Sequence, residues 1–531
     1  MQAILTLKDR LPATAGGRPV LAAIANNMVA PLAAPLVGNP EIEPLTRADR
    51  EGFEVYRATL VFLLAKCARE LEPARPFRVC HSVDPALYCA WGGDVAALGR
   101  AAKAAVAADL PVSVEILPYR EAVEFFTAHG RADELHLLEH RNPPVVALSR
   151  CGDFRALNQV ALAPRTGVLD RFELIPVEGG FLLNVPSAEA PDELPRISDL
   201  YSRGRYLQVF RDHLACGRVT GVETLGDLNR VILERRFGEF VRTAEAVQRR
   251  AIARIADAAA DRRPPVRLVL LAGPSSAGKT TTAHHLCTEL RANGLSPLLL
   301  STDDYFVGDA RNPRDAQGNL DYETVEAVDR ARLAADVNAL FAGSAVHLRK
   351  FDFLRHDGCD AAEPTELPPG GVIVLEGIHA LNPVLTEGVP DDVKFRVYLN
   401  ALTQPAIDSC NRIASSDLRL LRRLVRDHNF RGCPPSVTFR LWPSVEAGER
   451  KWIYPFQTQA DAVFNSALAY ELAVLKPYAL QLLNQVKPWD RAYLEARRLS
   501  GILHNVSIAP SAVVPGDSIL RESIGGSLID Y

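Results

Sequence analysis

Short apolar segments broken by Pro, Gly and Asn fill the first 50 or so residues. There "PVLAAIANNMVAPLAAPLVGNPEIEPL" reads as a short helix and loops of a small α+β unit. From Glu51 the pattern turns helical, and "GFEVYRATLVFLLAKCAREL" carries apolar residues at three-to-four spacing. Alternating short strands and helices continue to about residue 190, and "FELIPVEGGFLLNVP" predicts a hairpin turning at Gly179-Gly180. The polar, Pro-bearing "SAEAPDELPRISD" marks a candidate boundary. Residues 205–260 read as largely helical until Pro264 and Pro265 stop the pattern. From 263 to 490 strands alternate with helices, as in a parallel sheet with crossover helices. The Gly- and Ser-rich tail from about 500 is expected to dock as loop.

These patterns predict a multidomain chain, with α+β N-terminal domains followed by an α/β domain built on a parallel sheet. The expected divisions are 1–50, 51–190, a helical connector over 191–262, the α/β domain at 263–490 and a tail at 491–531. A length of 531 residues agrees, being too long for one core. The net charge of -4 supplies no global field for nucleic acid or anionic membrane. Nine cysteines without a CxxC pair argue against a disulfide framework and fit a reducing cytoplasm. The N-terminus lacks the pattern of a secretory signal, and no apolar run reaches the ~18 residues of a membrane helix.

The most informative stretch is "GPSSAGKT", residues 273–280, between the apolar run "VRLVLLA" and a stretch of helix formers. It fits G-x-x-x-x-G-K-[ST] at Gly273, Gly278, Lys279 and Thr280. The glycines let backbone N–H groups curl around an anion, and the following helix adds the positive end of its dipole. Gly273, Ser275, Ser276, Ala277, Gly278, Lys279, Thr280 and Thr281 are the candidate nucleotide-binding residues. Lys279 is expected to reach the β- and γ-phosphates, and Thr280 to offer its hydroxyl to Mg²⁺.

The loop does not specify the fate of the phosphate. No N-K-x-D guanine reader is present, and "LSGIL" at 499–503 lacks an LSGGQ-like signature. A kinase needs a carboxylate near the γ-phosphate to accept a hydroxyl proton. "SPLLLSTDDYF" places Asp303 and Asp304 at the C-terminal end of a predicted strand, the edge where ligands bind in a doubly wound sheet. A helix cap is the ordinary alternative for such a pair. "VIVLE" is a buried strand ending in Glu376, suited to holding Mg²⁺ directly or through water. "LRLLRRLVRDHNFRG" reads as a basic helix carrying Arg419, Arg422, Arg423, Arg426 and Arg431. Arg423 and Arg426 share one side and are candidate phosphate clamps, whereas Arg419 and Arg422 are expected to form a solvated face.

Taken in order, "GPSSAGKTT", "STDDYF", "FDFLRH", "VLEGIHALN" and "LRRLVRDHNFRG" resemble the uridine kinase/phosphoribulokinase group of P-loop kinases over about 263–490. The resemblance implies that Asp303 is the catalytic base and Asp304 a variable position. It also implies that Asp321 binds ribose hydroxyls, that Phe351, Phe353 and His356 surround a pyrimidine, and that Arg423 and Arg426 are lid arginines. Two positions depart from uridine kinases, Phe351 where Tyr is usual and Cys433 where Arg is usual. The aromatics Trp442, Trp452 and Tyr454 are expected in the core. The N-terminal half resembles the TGS and second additional domains of threonyl-tRNA synthetase. The H-x-x-x-H ligand positions of those domains are here Ala58 and Phe62, so their hydrolytic editing is not expected. His81 stands alone and is read as structural or as a small-molecule contact, without metal.

The expectation is therefore a phosphotransferase using ATP and Mg²⁺, with a nucleoside 5'-hydroxyl as acceptor and Asp303, Lys279, Arg423 and Arg426 as its catalytic groups. Two alternatives stay open: a sugar-phosphate acceptor as in phosphoribulokinase, and an RNA-associated nucleotide sensor, to which the net charge lends no support. Homo-oligomerisation also stays open.

Overall fold

The computed structural model describes residues 5–83, 86–197, 205–315, 318–352, 355, 357–403 and 405–529. Two compact units, both discontinuous in sequence, make up the chain. The first comprises Met1–Phe237, Thr403–Asp417 and Leu472–Ala509; the second comprises Gly238–Leu402, Leu418–Glu471 and Pro510–Tyr531.

In the first unit, Ala22–Ala25 pairs antiparallel with both Met28–Pro31 and Ile42–Leu45. The short helix expected in this stretch is thus replaced by a small sheet. Asn26 and Asn27 both adopt positive φ, 52° and 57°, which asparagine tolerates and a two-residue hairpin turn requires. The helix Arg50–Leu71 buries Val55, Tyr56, Leu60, Leu63 and Leu64 against Leu87, Phe181 and Leu183 of a four-stranded antiparallel sheet. In that sheet Glu173–Val177 turns back into Gly180–Asn184 through Gly179 at φ +83°, the hairpin the sequence suggests. Residues 205–233 form the helices Arg205–Thr220 and Leu225–Leu233, and the third helix before Pro264, Phe237–Ala260, belongs to the second unit from Gly238 on.

The second unit is organised by five parallel strands: β1 (Leu268–Ala272), β2 (Pro297–Ser301), β3 (Val372–Gly377), β4 (Lys394–Asn400) and β5 (Ala462–Asn465). Their order is β2-β3-β1-β4-β5. Every residue of β1 and β3 is buried, as expected of central parallel strands rich in Val, Ile and Leu. Because the strands are parallel, all their C-terminal ends reach one edge. Register places Ala272 opposite Gly377 and Ser301 opposite Glu376 there. Helix α1 (Lys279–Ala292) follows the phosphate loop and buries Ala283, Leu286, Cys287 and Leu290 on the sheet. Helices α2 (Ser415–Arg431) and α3 (Pro435–Trp452) carry the basic segment and the buried Trp442. The tail, expected as loop, is helical over Tyr493–His504, which lies in the first unit, and again over Arg521–Ile524 in the second. No helix among the described residues is long and apolar enough to cross a membrane.

Candidate functional site

The phosphate loop leaves the C-terminal end of β1 and enters α1. Gly278 caps α1 at φ +86°, and a Cβ there would stand 2.5 Å from Ile519 Cγ2. A Cβ on Gly273 would meet the Leu399 carbonyl at 2.2 Å. Both glycines of the motif are therefore fixed by local geometry as well as by room for a phosphate. Ser276 also holds positive φ (57°), and its buried hydroxyl has no partner among the described residues. Lys279 Nζ donates to the Pro274 carbonyl at 3.2 Å, so it folds back over the loop.

Three oxygen-bearing side chains meet beside the loop. Thr280 Oγ1 and Ser301 Oγ both donate to Glu376 Oε1, at 3.2 and 3.0 Å. Burial raises Glu376 to about 7, helped by Asp303 nearby, while Lys279 and the two hydroxyls pull the other way. Asp303 follows Ser301 in a short 3-10 turn over Thr302–Tyr305, and its N–H donates to Ser301 Oγ at 3.3 Å. Burial and Asp304 raise its carboxyl; Lys279, Arg431 and Arg426 oppose them. Two carboxylates that resist joint ionisation, beside two hydroxyls, form a hard-oxygen set that suits Mg²⁺. Among the described residues no group of three His, Cys, Asp or Glu side chains forms a metal cage. Mg²⁺ carried on phosphate oxygens needs only one or two protein ligands.

The arginines divide by burial. Arg419 and Arg422, expected on a solvated face, are buried at 1% and 2% exposure. Arg419 grips Glu449 through two bonds of 2.5 and 2.8 Å, lies over the Trp442 ring, and donates to the Ser275 carbonyl at 3.0 Å. Arg422 grips Glu471 at 2.6 and 3.0 Å. Their charge count suggested solvent, but Glu449 and Glu471 lie far along the chain and neutralise them inside. Both therefore brace the loop from behind. Arg423 and Arg426 are less deeply buried, and Arg423 Nη1 donates to Ser275 Oγ of the loop at 3.1 Å. Asp427 gathers Arg423, Arg426 and Arg431 at 3.2, 3.0 and 3.7 Å.

Of the residues expected to bind an acceptor, Asp321 accepts through Oδ1 from the Glu323 N–H at 3.0 Å. Phe351 is 8% exposed and meets Phe306 edge-on at 5.6 Å, while Phe306 meets Tyr322 at 5.8 Å. Phe351 is thus one wall of an aromatic cluster adjoining Asp321. Asp304 accepts from Lys350 and from the Phe351 N–H, tying the hairpin strand Arg349–Asp352 to the Asp303 turn. Phe353 and His356 lie outside the described residues. Trp442 is a core aromatic, and Tyr454 donates to Glu449 at 2.9 Å.

Three groups escaped the motif reading. Glu323 is raised to about 7 by burial, against the pull of Arg423. His379 is 1% exposed and lowered by burial to about 4. The Thr324 and Glu323 carbonyls lie near its ring, yet neither nitrogen has a hydrogen-bond partner among the described residues. Asp427 is the hub of Arg423, Arg426 and Arg431. His379 was visible two residues beyond Gly377 in "EGIHALN"; nothing in the sequence distinguished Glu323 from a solvated acid.

In the first unit, His81 is buried, stacks on Phe210 at 4.4 Å, and is held well below its usual range by burial. Ala58 and Phe62 line a small cavity with Ser149, Gln159, Cys410 and Asn411.

Residues 268–472 match the family model described as "Phosphoribulokinase / Uridine kinase family". The uridine kinase of Deinococcus deserti is 28% identical over 194 residues, 36% of this chain and 84% of that relative. Uridine kinase from Halobacterium salinarum is 28% identical over 194 residues, 36% of this chain and 77% of the relative. That of Staphylococcus aureus is 29% identical over 209 residues, 39% and 91% of the two chains. The region 268–472 therefore belongs to the uridine kinase/phosphoribulokinase family, and the protein is a phosphotransferase with a hydroxyl acceptor.

Proposed function

We propose that this protein transfers the γ-phosphate of ATP to a hydroxyl of a small polyhydroxylated molecule, with the 5'-hydroxyl of a nucleoside as the leading acceptor. The observation that carries this reading is the placement of Asp303. It sits at the C-terminal sheet edge, bonded through Ser301 to the Glu376–Thr280 cluster and within the electrostatic reach of Lys279 and Arg426.

In this reading the phosphate loop amides and Lys279 bind the β- and γ-phosphates. Asp303 accepts the proton of the acceptor hydroxyl as that oxygen bonds to the γ-phosphorus. The bond from phosphorus to the bridging oxygen breaks, and ADP leaves. Its raised pKa makes Asp303 a better proton acceptor than a solvated carboxylate. Arg423 and Arg426 stabilise charge on the transferring oxygens. Bound Mg²⁺ would neutralise phosphate charge, held by Thr280 and Glu376. Asp321 would bind acceptor hydroxyls, with the Phe306–Tyr322–Phe351 cluster beside it. Binding of the acceptor closes the site and limits hydrolysis.

A sugar phosphate is the second reading. The family model spans both classes, and Phe351 offers no hydroxyl to a base edge. Residues 1–190 we read as a synthetase-like region; without the histidine pair at Ala58 and Phe62, a ligand-binding or bracing role suits it better than editing.

The test is ATP-to-ADP turnover with Mg²⁺ across nucleosides and sugar phosphates, run beside Asp303→Asn. One nucleoside should raise turnover well above the acceptor-free rate, and Asp303→Asn should remove that rise. Stimulation by sugar phosphates alone selects the second reading. No stimulation by any acceptor, with an unchanged basal rate in Asp303→Asn, would overturn the kinase mechanism in favour of nucleotide sensing.

A further inference from the structure

The segment 510–529 lies outside the family-matched region 268–472 and belongs to the same compact unit as the phosphate loop. It is built into that unit at several points. Ile519 is 2% exposed and packs in the same apolar cluster as Ala277 and Leu286, against the loop glycine Gly278. The Asp517 carbonyl is 2.8 Å from His285 Nε2 on α1. Further along the segment, contact passes to α2. Glu522 Oε1 lies 3.5 Å from Arg426 Nη1. The Ser523 carbonyl accepts from Asn429 Nδ2 at 3.1 Å, and Gly525 lies against the Phe430 ring. One short stretch thus touches both elements that handle phosphate, the loop with its helix and the basic helix.

Arg426 itself is held from two sides. Asp427, its chain neighbour, takes Nε and Nη2 at 3.2 and 3.0 Å. Asp427 is already shared with Arg423 and Arg431, so its hold on any one guanidinium is divided. Glu522 engages Nη1, the nitrogen Asp427 leaves. A planar guanidinium hydrogen-bonded on one edge and ion-paired at 3.5 Å on the other has its orientation set more narrowly than by a single shared carboxylate.

We infer that Glu522 is a positioning residue for Arg426, and that the segment Asp517–Gly525 is a strap that aligns the basic helix with the phosphate loop. The inference rests on the reading of Arg426 as a phosphate clamp. Glu522 touches no reacting atom; it acts by orienting Arg426 before the transferring phosphate draws on it. Pure charge removal predicts something different. Deleting a carboxylate beside a phosphate site strengthens the local positive potential, so ATP would bind more tightly with kcat unchanged.

The experiment is a double-mutant cycle on the full chain with the acceptor found in the panel above, using Glu522→Ala, Arg426→Ala and both together, with Glu522→Gln as the conservative variant. Thermal unfolding accompanies each. Glu522→Ala should lower kcat roughly tenfold with little change in KM for either substrate. It should cost nothing further in the Arg426→Ala background. Glu522→Gln, which keeps an acceptor oxygen, should recover most of the rate. The inference is overturned if Glu522→Ala lowers only the KM for ATP, or if its loss is the same with and without Arg426. It also falls alone if Arg426→Ala is costly while Glu522→Ala is silent. If Arg426→Ala leaves kcat unchanged, the clamp reading falls and the inference with it.

Discussion

Thr280 Oγ1 and Glu376 Oε1 meet at 3.2 Å, one from the first turn of α1 and the other from the end of β3. Ser301, from the end of β2, donates to the same oxygen. Three segments, separated by up to 96 residues, therefore converge on one carboxylate atom. A hydroxyl that donates to Glu376 keeps its lone pairs free to ligate a cation. Glu376→Gln should raise the Mg²⁺ concentration needed for half-maximal rate by ~10–100-fold. Magnesium titration of turnover checks this. An unchanged Mg²⁺ requirement would remove Glu376 from the cation site.

The glycine at the start of α1 gives a sharper stability test. Gly278→Ala introduces a Cβ at positive φ and drives it into Ile519. Gly294, at φ +81°, has nothing among the described residues within 4 Å of the same position. Gly294→Ala should therefore cost only the backbone term, about 1 kcal/mol. Gly278→Ala should cost more and also weaken ATP binding, since the loop must shift. Denaturant unfolding and nucleotide titration of the two variants decide it. Equal losses would mean that the contact with Ile519 yields freely.

Much of this was legible from local pattern. Walker-type spacing, the apolar run before it and the acid at the end of "VIVLE" place β1, α1, β3 and Glu376 correctly because each is a short-range signal. Local pattern failed where the deciding partner is distant. The alanine-rich stretch from Ala22 to Ala25 has helix-forming composition, yet pairing with Ile42–Leu45 and the two left-handed asparagines that follow it make it sheet. Arg419 and Arg422 look like surface charges until Glu449 and Glu471 are brought alongside. The strap could not be foreseen, because so short a stretch gives no periodicity, and the partners of Asp517, Ile519, Glu522 and Ser523 lie far back along the chain.

The four arginines of α2 from Arg419 to Arg426 should separate into two classes under mutation. Arg419→Ala leaves Glu449 charged at 1% exposure, and breaking such a buried pair costs ~3–5 kcal/mol. Arg423 is more open and bonds Ser275 Oγ. Arg423→Ala should leave the unfolding midpoint nearly unchanged and lower kcat by ~10²-fold. Measuring unfolding and turnover on both variants tests the division. A stability loss for Arg423→Ala as large as that for Arg419→Ala would make the whole helix structural.

Asp408, in the first unit, ties stability to pH. Its Oδ1 accepts from the Cys410 and Asn411 N–H groups, both at 2.9 Å, and it is 1% exposed. Burial, reinforced by Glu134, lifts its carboxyl from 3.8 to about 7, against the pull of the Cys410 N–H, Asn411 and Arg131. The folded state thus favours the protonated form. The contribution to stability is complete below about 3.8 and is lost as pH rises through about 7. The slope from this one group is at most about 1.4 kcal/mol per pH unit. Stability of the full chain should therefore fall between pH 5 and pH 8 by more than the other groups account for. Asp408→Asn keeps an oxygen facing the two N–H donors and cannot ionise, so it should flatten that slope. Thermal unfolding of both proteins across this range is the measurement, and parallel curves would show that Asp408 is ionised throughout.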